Sequence, residues 1–98
     1  MSLNPAQMGR TADELAANFH ASGLTLGQLA ELTGLSPERT AGVLALDPRS
    51  SSPEEVWLVR DKLETAVREV RGDLTPYSVL TEQARTAAAG WFGVRDER

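Results

Sequence analysis

The sequence predicts an all-α domain of about five helices, and three observations lead there. Apolar residues recur at helical spacing along most of the chain. The pattern S/T-x-x-E/Q, in which two side chains satisfy backbone N–H groups at a helix start, occurs at Thr11–Glu14, Thr25–Gln28 and Ser52–Glu55. Residues 75–80 are the one ambiguous stretch, a short strand or one irregular turn, and no second strand is available to pair with it.

Taken in order, residues 1–10 carry Pro5 and Gly9 with little periodicity and are expected to form an N-terminal arm. The first helix is expected from Thr11, with Leu15, Ala16 and Phe19 on one face and Gly23 as its stop. The second starts at Thr25, buries Leu26, Leu29, Ala30 and Thr33, and ends at Gly34. Ser36-Pro37 opens the third, with Ser as cap and Pro at the position where its missing N–H costs nothing. Thr40, Val43 and Leu44 continue its buried stripe, and Asp47-Pro48 closes it.

The polar connector DPRSSS leads to the longest helix, about 53–71. Val56, Val59, Leu63, Ala66, Val67 and Val70 form its stripe, and Gly72 is its expected end. Arg60, Glu64 and Arg68 are placed on its outer face, spaced for i, i+4 ion pairs. A final helix is expected from about Thr81 through Ala84, Ala87 and Ala88 to Gly90, followed by Trp91-Phe92. The expected organisation is therefore an arm at 1–10, one helical domain at 11–93 and a charged tail at 94–98.

Composition narrows the function classes. The chain has 98 residues, enough for one modest core, and no cysteine, which removes disulfides, thiolate metal sites and cysteine nucleophiles. Its formal charge of -4 gives no net attraction to nucleic acid or anionic lipid. No signal-like or membrane-spanning apolar run is present, so a cytoplasmic location is expected. His20 is the single histidine and reads as a surface or half-buried helix position rather than a metal ligand or a catalytic base. The acid pairs Asp13-Glu14 and Glu54-Glu55 fall in expected first helical turns, where capping and the helix dipole explain them. The three glycines of residues 23–34 have helix-end or packing explanations and form no phosphate loop. The expectation is a protein that is not an enzyme and uses no metal or cofactor.

Residues 24–46, LTLGQLAELTGLSPERTAGVLAL, have the spacing of a helix-turn-helix at about 25–45. Ala30 stands four residues before Gly34, and Val43 nine after it. These are the small-residue, turn and plug positions of such a motif, and with a helix before and two after, the layout resembles the lambda-repressor-like domains. Thr40 departs from that pattern, which has a β-branched apolar residue there; its hydroxyl needs a partner. The whole chain is also similar to a bacterial family catalogued as a domain of unknown function (DUF2316). MSLN, TADELAANF, GLTLGQLA, PEEVWLVRDKLE and GWFG carry that similarity over nearly the full length. The similarity supports the fold and implies no activity.

In a helix-turn-helix that reads DNA, the start of the second helix touches base edges. Those positions make Glu38 and Arg39 the candidate base readers, with Gln28 and Ser36 in support and Arg49 and Arg10 as phosphate contacts. Residues 24–46 nevertheless contain Glu31, Glu38 and a single cation, Arg39, too few for strong phosphate binding by a monomer. The surplus aromatics Trp57, Trp91 and Phe92 are core residues on one reading and a homodimer or partner interface on the other. The leading expectation is a small DNA-binding transcriptional regulator, dimeric on double-stranded DNA. The alternative is a protein-interaction or dimerisation module that keeps the scaffold without the nucleic-acid surface.

Overall fold

The computed structural model describes residues 4–47, 49 and 51–81, which form four helices: α1 (Pro5–Ser22), α2 (Leu26–Thr33), α3 (Pro37–Leu44) and α4 (Pro53–Glu69). No strand occurs among the described residues, and residues 75–80 run as irregular chain. The expected final helix, Trp91-Phe92 and the charged tail lie outside the described residues.

The expected arm is corrected. Residues 5–10 are the first turns of α1, and Thr11 is a fully buried mid-helix residue rather than a cap. Asn4 supplies the cap: its Oδ1 accepts from the Gln7 N–H at 2.8 Å, and Gln7 Oε1 accepts from the Asn4 N–H at 3.1 Å. Pro5 therefore sits at a position that suits its fixed φ, and Gly9 is a helix-interior glycine rather than a breaker.

Helices α2 to α4 start where their caps predict. Thr25 and Gln28 form a reciprocal box, as do Ser52 and Glu55, and Ser36 Oγ accepts the Arg39 N–H at 3.0 Å. Gly34 ends α2 at φ +76°, a conformation glycine adopts without a Cβ clash.

The ends of α3 and α4 use no glycine at the left-handed position. Leu46 (φ +55°) and Arg71 (φ +54°) occupy it. In each case two backbone bonds close the turn: Asp47 N–H to Gly42 O and Leu46 N–H to Val43 O after α3, Gly72 N–H to Val67 O and Arg71 N–H to Arg68 O after α4. Leu46 accepts the strain because its side chain enters the core. The expected role of Gly72 is thus corrected: it follows the turn, and a Cβ there would stand 3.0 Å from Ala21 O. The glycine lets the chain leaving α4 pass close against α1.

Helix α4 is the element on which α1, α2 and α3 all pack, and α2 also packs on α3. Leu15, Leu29, Val43, Val59 and Leu63 are fully buried, with Trp57, Tyr77 and Leu80 closing the same core. The buried stripe of α1 is mostly polar: Thr11, Leu15, Asn18 and Ser22. Asn18 binds the chain after α4, donating Nδ2–H to Thr75 O at 2.9 Å and accepting from Thr75 N–H at 2.7 Å. Glu14 accepts from the Ser78 N–H at 3.0 Å and from its hydroxyl at 2.6 Å.

Arg60 also departs from expectation. The ion pairs to Glu64 and from Glu64 to Arg68 are present, both at 2.6 Å, but Arg60 is buried rather than on an outer face. The chain after α4 folds back over it. Arg60 Nε donates to Leu80 O at 2.9 Å, and its guanidinium lies over the Tyr77 ring at 4.8 Å and the Trp57 ring at 5.7 Å. Charge, hydrogen bond and aromatic faces together compensate the burial of this cation.

Candidate nucleic-acid interface

Two eight-residue helices, α2 and α3, are joined through Gly34, Leu35 and Ser36 and packed together with Ala30 and Val43 buried. Thr40, the departure noted in the sequence, is fully buried, and its hydroxyl donates to Ser36 O at 2.8 Å one turn back. The substitution leaves no unsatisfied hydroxyl.

The exposed positions of α3 are Pro37, Glu38 and Ala41, with Ala45 exposed at its C-cap. Among the candidate readers, Glu38 is exposed in the first turn. Ser36 is exposed at the cap, its Oγ already engaged by the Arg39 N–H. Gln28 is exposed, with Oε1 accepting from the Thr25 N–H at 2.9 Å. Its first task is therefore to close α2. Arg49 is exposed in the connector, where its backbone N–H is held by Asp47 Oδ1 at 3.0 Å. Arg10 is exposed on α1.

Arg39 does not extend alone from α3. Its Nε donates to both carboxylate oxygens of Glu55 at 3.0 Å, and its Nη2 lies 2.6 Å from Oε1. The arginine side chain remains 37% exposed and the glutamate 22%, so water reaches the pair from the arginine side. Glu55 performs two jobs at once, because Oε1 also accepts the Ser52 N–H at 3.0 Å in the cap of α4. The hydrogen bonds from Arg39 are the largest influence on its carboxyl, holding it below the usual carboxylate range. Partial burial opposes this and the bonds from Ser52 assist it.

The sequence identified Glu55 as a capping residue and missed its partner, because nothing local links positions sixteen apart on different helices. Trp57 is 6% exposed and lies in the core, so its ring is not available at the surface. Trp91 and Phe92, the other candidate interface residues, lie outside the described residues. His20 is exposed in the last turn of α1. Among the described residues no group of three or more His, Asp or Glu is placed to hold a metal ion. No helix among them is long and apolar enough to cross a membrane.

No curated protein and no solved structure matches the chain. One family model does, over residues 1–93. The chain belongs to that family, described as an uncharacterized protein conserved in bacteria (DUF2316).

Proposed function

We propose that this member of the family is a small DNA-binding regulator that presents the first turn of α3 to a DNA groove. The observation that carries the reading is the α2–α3 pair itself. A left-handed glycine turns the chain, Ala30 and Val43 fill the joint, and Ser36, Pro37, Glu38 and Ala41 are left facing solvent. That is how a helix-turn-helix offers its second helix. Glu38 suits a cytosine amine and Arg39 a guanine edge, with Gln28, Ser36 and Arg49 proposed as supporting contacts.

The electrostatics make this a low-affinity reader as a monomer. If Arg10 and Arg49 each neutralise one phosphate, log K falls with log salt at a slope of about -2, and a dimer doubles it to about -4. Capture of sheared genomic DNA by the purified protein across a salt series tests this, with Arg39→Ala as control. Discrete enriched fragments that fade with salt and vanish in the variant are expected. Absence of retention even at low salt refutes the reading.

A second reading is a protein-interaction module on the same scaffold. It is favoured by the engagement of Arg39 with Glu55 and by the exposed small apolar residues Pro37 and Ala41 of α3 and Ala45 at its C-cap. Failure of the DNA capture, with a folded and monodisperse protein, moves the search to this surface.

A further inference from the structure

We propose that Glu55 is a built-in competitor for Arg39, a carboxylate that occupies the guanidinium where a DNA phosphate or guanine edge would otherwise take it. The inference rests on the DNA-binding reading above and adds to it a device that sets affinity. Three features of the contact carry it. The geometry is that of a guanidinium on an anion: Nε reaches both oxygens at 3.0 Å and Nη2 reaches Oε1 at 2.6 Å. Arg39 is the single cation of residues 24–46, so whatever holds it holds the electrostatic handle of the motif. The pair is also solvent-reachable, with 37% of the arginine side chain exposed, so an incoming anion can draw Arg39 off the carboxylate without opening the core.

Glu55 is fixed from behind. Its Oε1 accepts the Ser52 N–H, and its own N–H donates to Ser52 Oγ at 3.3 Å, so the carboxylate stays in place by its capping role and need not be ordered by Arg39. A competitor anchored in this way imposes a constant tax on every ligand that needs Arg39. It lowers affinity for every such ligand alike and leaves the ratio between them unchanged.

The test separates this from a general charge effect. Glu55→Gln removes the charge but retains the cap, because glutamine serves equally at that position of the box. Glu54→Gln removes the same charge from the neighbouring exposed residue, which has no part in the pair. Affinity for a random-sequence duplex and for the enriched genomic fragments is measured by fluorescence anisotropy at low salt, after matching far-ultraviolet dichroism confirms the fold. Glu55→Gln is expected to tighten binding roughly two- to fivefold, the range over which an exposed ion pair shifts an equilibrium. Glu54→Gln is expected to have a smaller effect, and the gain should disappear when Arg39→Ala is combined with Glu55→Gln. Equal tightening by both glutamine variants overturns the competitor, as does a gain that survives loss of Arg39. Arg39-dependent binding by the parent that Glu55→Gln leaves unchanged also overturns it while sparing the DNA reading. Failure of parent and variant alike to bind overturns both.

Discussion

Replacing Asn18 with alanine should be among the most damaging single changes available at a polar position. Its carboxamide is fully buried and makes two bonds to one residue, to Thr75 O at 2.9 Å and from Thr75 N–H at 2.7 Å. Alanine removes both and leaves a peptide unit facing the space vacated. A neutral hydrogen bond contributes roughly 0.5–1.5 kcal/mol net, so the two together contribute roughly 1–3 kcal/mol. Thr75 is only half-buried, so water reaches part of the exposed backbone and the middle of that range, about 2 kcal/mol, is expected. For a domain of this size the melting temperature then falls by roughly 8–16 °C. Thermal unfolding followed by circular dichroism measures it directly. Asn18→Asp provides an internal check. One oxygen still accepts from the Thr75 N–H, but the other faces the Thr75 carbonyl and can donate only when protonated. The neutral acid is thus the form the fold favours, so the aspartate variant should recover stability as pH falls. An alanine variant melting within about 2 °C of the parent, a change under about 0.5 kcal/mol, would refute the reasoning.

Four further outcomes are expected. Gly9→Ala should stabilise by about 0.5–1 kcal/mol, because Gly9 lies within α1 and its added Cβ meets nothing within 4 Å; a neutral result in urea unfolding would mean residues 5–10 contribute no helix. Gly34→Ala should destabilise by about 1–2 kcal/mol from backbone strain alone, since space is open but φ is +76°; the same unfolding curve decides it. Tyr77 is the chain's single tyrosine, and burial is the largest influence, pushing its phenol above the ordinary value against the opposing effects of Asn18 and Arg60. The neutral phenol is favoured in the fold, so that stability is present at neutral pH and lost as pH rises through the folded value. An alkaline spectrophotometric titration should therefore show phenolate later than in a short tyrosine peptide. For Glu55 the sign is opposite: its depressed carboxyl stabilises the fold above the ordinary carboxylate range and loses that contribution as pH falls below it, so Glu55→Gln should flatten the acid limb of a stability-against-pH curve.

Much of the fold was legible because it is written locally. Caps at Thr25, Ser36 and Ser52 and the turn at Gly34 each involve residues three or four apart, and the structure bears them out. The signal at Asn4-Pro5 is equally local, but Pro5 and Gly9 read as an arm out of context, whereas inside a helix one is harmless and the other tolerable. What local reading could not supply was pairing at a distance. Arg60 sits at a spacing that suits an exposed helix face, and only the chain returning over α4 turns that face inward. Asn18 reads as a polar interruption of an apolar stripe until Thr75 arrives to meet it. For the candidate site, Ser36, Glu38 and Gln28 were placed correctly on the helix starts, whereas the occupation of Arg39 depended on Glu55 from another helix.

The clasp between α1 and the chain beyond α4 joins residues 57 and 64 positions apart, while α2 and α3 meet across a single short turn. During synthesis α2 and α3 can meet early, since closing the turn between them needs few residues, although their core faces wait for α4. Asn18 and Glu14 must wait for Thr75 and Ser78, and the core must wait for Tyr77 and Leu80. A nascent chain halted just after α4 would hold four finished helices around an open seam. Such a chain would be a preferred substrate for chaperones and proteases, and release of the last turns of sequence past that point is what takes it off their list.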